Sequence, residues 1–395
     1  MKKLMLTTAI ASVLTTAAIA QTTITGELRV SYKSVETDKG YSTLRSISAA
    51  NTAGGTQTLD ALGSVTANTA SGFGAEQQIN IQTKGKANIL GGLDYAAGFA
   101  IENDGEQGTT LFNENVYMDF TNASSGTTIS FSRDHIQRSD SDFAATNLVG
   151  FNQAEFSAMP ITSNSTTQGA TFFGSTPGAG PGQNFGAAIL QKTPIGTFSY
   201  NYVPNNGAIT ATDSALGNSE YVQDQTTAAY EAGFLGDLGV NGLQVHYFQN
   251  ANADVANRFR SVRAEGKNYG AKYNFGSFTV AANKKLSQVE SFANGTVGAV
   301  GEITEKTFAA AYAVNKDLSV GVLVGDAKRD YANDGTTGAG SDLVDGRGKQ
   351  KLKAINVGYA LGPVNLAVGY AKNDNVVGTS GSDTEVFMAR LIGAF

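Results

Sequence analysis

An all-β fold, a transmembrane antiparallel β-barrel, is what this sequence predicts, and three observations carry the prediction. Apolar and polar residues alternate with period two along many short segments. The connections between those segments alternate between short turns and long polar loops. The chain opens on a short basic and then apolar stretch and finishes on an alternating segment that ends at Phe395.

The opening stretch comes first. Lys2 and Lys3 precede an uncharged run from Leu4 to Ile19, and Ala18-Ile19-Ala20 places small residues before Gln21. This is the pattern of a secretory signal peptide over residues 1–20. Its removal leaves 395 − 20 = 375 residues, 21–395, enough for one large barrel. The formal charge of −6 becomes −6 − 2 = −8 once the two lysines are gone.

Composition narrows the class. After Ala20 no apolar run approaches the ~18–20 residues a membrane helix requires. A mean hydropathy of −0.15 resembles that of a soluble protein. A membrane barrel gives the same mean, because lipid-facing and lumen-facing residues alternate. Charged residues make up 16% of the chain, below the ~25% of soluble domains, which suits strands with one face in lipid.

Several kinds of chemistry are disfavoured. With no cysteine there is no disulfide, thiolate metal site or cysteine nucleophile. The acidic balance lacks the basic face of a nucleic-acid binder. His135 and His246 are too few for a histidine metal cluster. There is no Gly-x-Ser-x-Gly elbow and no phosphate loop, and Asp134-His135 has no serine placed by a motif. Asp330 to Gly335 resembles a calcium loop, but Ser341 stands where the bidentate glutamate belongs. The expectation is no enzyme and no cofactor.

The strands follow in order. In Thr23 to Lys33 the even positions are apolar, glycine or tyrosine, while Thr23, Thr25, Glu27, Arg29, Ser31 and Lys33 share the other face. Val116, Met118 and Phe120 oppose Asn115, Tyr117 and Asp119. Phe198, Tyr200 and Tyr202 oppose Thr197, Ser199 and Asn201. Tyr269, Ala271, Tyr273 and Phe275 oppose Asn268, Gly270, Lys272 and Asn274. The same alternation returns at Leu318 to Val324 and Val364 to Tyr370, and no segment has a strong helical repeat.

Short turns are expected near Ala96-Ala97-Gly98, Asn122 to Gly126, Thr193 to Gly196, Gly236 to Gly242, Asn274 to Gly276, Val314 to Asp317 and Leu361 to Pro363. Long loops are expected near 36–85, 104–113, 135–183, 204–220, 251–262, 287–303, 329–350 and 373–383. Seven turns and eight loops join sixteen strands, an even number with both termini on the short-turn side, as bacterial barrels have. Ile79 and Ile81 alternate locally inside 36–85, so eighteen strands is the alternative.

Two segments carry a family resemblance. Counting back from Phe395, every second residue is Gly393, Leu391, Ala389 and Phe387, which resembles the closing strand of outer-membrane barrels. There the terminal aromatic is the assembly signal read by the barrel-assembly machinery, although an aromatic often stands where Gly393 is. Asn115 to Phe120, a short turn, then Gly126 to Asp134 resembles the fourth and fifth strands of the general, trimeric porins of Gram-negative bacteria, with Ser132 in place of a usual glycine. The resemblance implies that the long third loop, 135–183, folds into the barrel as a constriction. It also implies that the strand distorts to turn Arg133 into the opening, and that the protein is a homotrimer joined through its first and last strands.

A sixteen-strand barrel leaves an aqueous channel, and charges at its narrowest section set ion preference. Parity points Glu27, Arg29, Lys33, Glu102, Asp119, Glu231, Lys272, Lys285 and Arg390 inward. Alternation alone puts Arg133 with Ile129 and Phe131 on the lipid side. The loop offers Arg138, Asp140, Asp142 and Glu155, and the family pattern sets the acidic ones among them against wall arginines. The cluster Arg347, Lys349, Lys351 and Lys353 lies near an outer rim and suits lipopolysaccharide phosphates or plain solvent. The expected role is passive diffusion of small hydrophilic solutes and ions across a bacterial outer membrane, reached by export through the periplasm. A substrate-selective channel is the alternative, and a secreted β-rich adhesin a more distant one that the absence of solenoid repeats disfavours. A plugged transporter needs more than 375 residues.

Overall fold

The computed structural model describes residues 21–37, 41–44, 61–65, 69–87, 92–103, 112–133, 144–153, 155–156, 185–204, 208–209, 225–226, 228–252, 260–293, 296–333, 349–376 and 383–395. The expected signal peptide lies outside them. Sixteen strands close into one antiparallel barrel. They are β1 (Gln21–Thr37), β2 (Thr69–Ala87), β3 (Leu93–Asn103), β4 (Phe112–Asn122), β5 (Thr127–Arg133), β6 (Gly186–Thr193), β7 (Gly196–Val203) and β8 (Ala229–Gly236). The second half comprises β9 (Leu243–Asn252), β10 (Arg260–Phe275), β11 (Phe278–Ala293), β12 (Thr296–Ala313), β13 (Leu318–Asn333), β14 (Lys349–Leu361), β15 (Val364–Asp374) and β16 (Thr384–Ala394). Two small hairpins, Tyr41–Leu44 with Ala61–Val65 and Ala208–Ile209 with Gln225–Thr226, stand apart from the barrel.

Period-two patterning decides which face each residue takes. The even series of β1 presents Ile24, Leu28 and Val30 outward, all strongly exposed, while Ser31, Lys33, Val35 and Thr37 are buried on the inner face. Every later strand that the sequence showed alternating repeats the arrangement. The outer surface carries Met118, Ile129, Phe131, Phe198, Tyr200, Tyr273, Val322 and Ile355. An aromatic run of Tyr273, Phe275, Phe278 and Tyr312 stacks at 4.7–6.0 Å near the short-turn end. An apolar outer surface of this extent suits lipid or partner chains and not water.

The barrel closes through its chain ends. β1 pairs β16 from Thr37 with Thr384 to Glu27 with Ala394. One step further, Gly26 N–H donates to the Phe395 carbonyl at 2.8 Å and Phe395 N–H to the Gly26 carbonyl at 2.9 Å. The Phe395 ring packs over Gly26, in the space a side chain there would fill.

Three expectations need correction. The first turn is not at Ala96-Ala97-Gly98: β2 ends at Ala87 and β3 starts at Leu93, so those three residues are strand. Gly98 has no side chain because the Tyr117 ring lies there, 2.8 Å from where a Cβ would be. The long loop expected at 36–85 is mostly β2, which pairs β1 from Gln21 with Lys84 to Glu36 with Thr69. Ile79 and Ile81 therefore belong to a wall strand and not to an extra hairpin, and the barrel has sixteen strands. The expected loop at 287–303 is the continuation of β11 and β12, joined across only Asn294-Gly295.

Candidate functional site

Among the described residues, 144–153 and 155–156, from the long connection between β5 and β6, run inside the barrel. Its sequence, Ala144 to Phe156, is poor in charge and carries Val149, Phe151 and Phe156, all buried. Those side chains meet an inner wall that is small and apolar. Leu323, Ala327, Leu352, Ala354, Ala367, Ala371, Val386, Met388 and Val35 form one buried cluster with Phe151 and Phe156. An apolar patch facing a lumen would cost free energy if left wet. Covering it with the loop removes that cost and fixes the loop.

Polar contacts set where the loop sits. At its start, Ala145 N–H donates to Asn283 on β11 at 3.3 Å, and the hydroxyls of Thr146 and Thr307 on β12 lie 2.9 Å apart. Gln153 donates to Glu305 at 2.9 Å. The Asn356 amide on β14 donates to the Phe151 carbonyl at 3.0 Å, and the Asn373 amide on β15 to the Phe156 carbonyl at 2.9 Å. At Gly369 the two rings approach so closely that a Cβ would lie 2.7 Å from each.

The strongest tie crosses the barrel seam. Arg390 on β16 reaches Glu155 with Nη1 2.5 Å from Oε1. Its Nε donates to the Ser31 hydroxyl on β1 at 2.9 Å, and its guanidinium lies 4.9 Å over the Phe151 ring. Lys33, also on β1, donates to the Glu155 carbonyl at 3.0 Å. Glu155 also receives the Asn152 N–H at 2.8 Å, so the turn and the ion pair are one unit. A charge-assisted, hydrogen-bonded pair of this kind orients the groups it holds.

The loop thus covers the inner face from β11 round to β1. On the other side, β1 to β4 present inward charges that solvent reaches. Arg29 pairs with Glu27 on its own strand and lies 3.2 Å from Glu76 on β2, and its side chain is still 43% exposed. Further along, Gln78 donates to Glu102 at 3.0 Å and Tyr117 to Gln82 at 3.4 Å. Asp119 sits on this wall in register with Ala96 and Ser130. Lys272 is inward on β10, in register with Gln244 and Ala281.

The sequence-derived candidates therefore separate into groups. Glu27, Arg29, Asp119 and Lys272 hold inward wall positions. Glu155 and Arg390 touch each other directly instead of facing one another across open space. Arg138, Asp140 and Asp142 lie outside the described residues, as does Arg347. The β4–β5 ladder runs without a shift from Asn122–Thr127 to Val116–Arg133. Arg133 is the last residue of that ladder, paired with Val116; beside Val116, Asn115 has φ +50° and the β3–β4 ladder shifts register, and the side chain of Arg133 lies outside the described residues. Sequence reasoning missed Asn356, Asn373 and Gly369, which hold the loop. Their signal was an asparagine or glycine on an inner face otherwise occupied by alanine, leucine and valine.

No protein-family model matches the sequence, and no curated protein matches it. Solved structures do. The chain is similar to OmpT, an outer membrane protein of Vibrio cholerae. The loop L8 deletion mutant superposes with a TM-score of 0.60 at 9% identity, over 96% of this chain and 100% of that one. The trimer form of OmpT gives 0.56 at 10%, over 96% and 100%. The fold is porin-like. An anion-selective porin from Comamonas acidovorans gives 0.57 at 10% identity, over 95% and 100%. The outer membrane channel DcaP of Acinetobacter baumannii gives 0.52 at 13%, over 95% and 97%. At these identities the likeness concerns the sixteen-strand barrel alone.

Proposed function

We propose that this chain is an outer-membrane porin, exported through the periplasm, whose water-filled barrel lets small hydrophilic solutes and ions diffuse passively. One observation carries the reading: a loop docked on one half of the inner wall leaves solvent-reached charges, Arg29 foremost, on the other half. A barrel of sixteen strands is wide enough for water, and a docked loop narrows it without filling it. On this reading Glu27, Arg29, Asp119 and Lys272 face the passage and set its ion preference, while Glu155 and Arg390 hold the loop. The chain acts as a passage and not as a catalyst, in keeping with similar folds described as a porin and a channel.

A homotrimer belongs to the same proposal. The outer faces of β1, β2 and β16 carry exposed Ile24, Leu28, Val30, Phe73, Phe387 and Leu391, an apolar surface suited to a second and third copy. Planar-bilayer recording of the purified mature protein tests the channel. Stepwise conductance in multiples of three is expected, and a protein that inserts without conducting would end the proposal. Liposome swelling with sugars of graded size separates a general pore, whose rates fall smoothly with size, from a selective channel, whose rates single out one solute.

A further inference from the structure

The inner wall separates its charges by level. One inward step along β1 from Ser31, the residue that holds Arg390 beside the docked loop, Arg29 stands in register with Glu76. The next inward step brings Glu27, in register with Gln78, which in turn faces and donates to Glu102. None of these charged side chains is buried. Next to the loop's berth, where the bore is reduced, β1 to β3 thus present three carboxylates against one arginine. Glu27 and Glu76 both engage that arginine, so its charge is compensated on the spot and a passing ion meets the surplus of carboxylate.

Charges elsewhere on the inner face do not reverse this. Asp119 and Lys272 stand near the short-turn ends of β4 and β10 and carry opposite signs. Lys84 is at the same mouth, about 26 Å along β2 from Glu76. Of the charges withdrawn beneath the loop or into the wall, Lys33, Lys285 and Arg390 are met by Glu155, Glu231 and Glu305. By sequence, the whole connection 134–185 carries Asp134, Asp140, Asp142 and Glu155 against Arg138 alone. It offers no surplus of cations to counter the wall.

We propose that the passage prefers cations and, among organic solutes, small ones bearing ammonium groups, with Glu76 and Glu102 as the residues that set this preference. An ammonium group crossing the reduced section replaces lost water by charge-assisted hydrogen bonds to these carboxylates, whereas an anionic solute meets like charge. At ~8 Å in water one carboxylate changes the local concentration of a monovalent ion roughly twofold, and salt weakens the effect. The inference rests on the porin reading and gives it a solute class.

The test uses the purified mature barrel in a planar bilayer across a dilute, tenfold KCl gradient. The parent's zero-current potential should have the sign of cation preference. E76Q/E102Q should lower the potassium-to-chloride permeability ratio roughly two- to fourfold, and E76D/E102D should keep the parent's ratio. So should E302Q, which removes a carboxylate from the outer face of β12, the face opposite the buried Ile303 and Glu305. In bi-ionic recordings the parent should admit 1,4-diaminobutane more readily than succinate, a lead that E76Q/E102Q reduces. A parent that prefers chloride or succinate, or an E76Q/E102Q ratio equal to that of E302Q, would overturn the proposal. Should the double variant not refold, E102Q alone decides by the same comparison. A barrel that conducts with the opposite preference fails this inference and leaves the channel standing, whereas one that does not conduct fails both.

Discussion

Arg390 and Glu155 are 390 − 155 = 235 residues apart in the chain and 2.5 Å apart in space. Both are largely withdrawn from water, Arg390 at 6% exposure. The pair joins the last wall strand to the docked loop and, through Ser31 and Lys33, to the first.

Breaking this tie should loosen the loop and leave the barrel standing. Removing one partner of a buried pair costs about 3–5 kcal/mol, and the partial exposure of Glu155 places Glu155→Gln at or below the lower end. Single-channel records of Glu155→Gln and Arg390→Met should show larger, noisier openings than the parent. The reversed pair, Glu155→Arg with Arg390→Glu, should recover part of the quiet behaviour. Parent-like traces from both single variants would show that the loop is held by its apolar contacts alone.

Gly369 tests those apolar contacts. A leucine there overlaps the Phe151 and Phe156 rings and the Asn356 side chain, an overpacking that typically costs 1–3 kcal/mol. Gly369→Leu should expose 144–156 to limited proteolysis while heat-modifiable gel mobility stays that of a closed barrel. Resistance equal to the parent's would mean that the rings have room to move aside.

Arg29 and Arg133 make a matched comparison. Arg29→Ala leaves Glu27 and Glu76 without their arginine on the solvent-reached wall, so the reversal potential across a salt gradient should move toward cations. The shift should grow in dilute salt, where screening beyond ~8–10 Å weakens. Arg133 ends the β5 ladder in the backbone register of Ile129 and Phe131, so Arg133→Ala should leave the reversal potential where it was. A cation-ward shift in Arg133→Ala would return that residue to the opening.

Phe395 closes the ladder with two backbone bonds to Gly26 and a ring laid over it. Deleting it should lower the outer-membrane level of the protein without affecting export, measured as the ratio of membrane to periplasmic protein. An unchanged ratio would remove the assembly role.

Much of the wall was legible because lipid imposes period two wherever a strand crosses it. Met118 and Phe120, or Val320 and Val322, declare their side by sequence alone. Legibility fails where lipid ends. β11 and β12 run on to Ala293 and from Thr296, beyond the band where an apolar face is demanded, and their polar residues there resemble a loop. The Asn294-Gly295 step was the available signal of a tight hairpin. Gly98 misled in the opposite direction, since small residues suit both a turn and a wall beneath a tyrosine ring. The docked loop was legible only as a length and a position after β5. Its holdfasts, Asn356, Asn373 and Arg390, lie some two hundred residues away, and no local pattern links them to Phe151, Phe156 or Glu155.

The placement of those holdfasts bears on the order of assembly. Ser31 and Lys33 stand on the first strand and Arg390 on the last, so the loop's berth is complete only after the two ends of the chain have met. A barrel still missing its final strand offers the loop half a berth, and its bore stays broad. Final seating of the loop is therefore a late event in the life of the molecule, and a seated loop marks a ring whose two ends have joined.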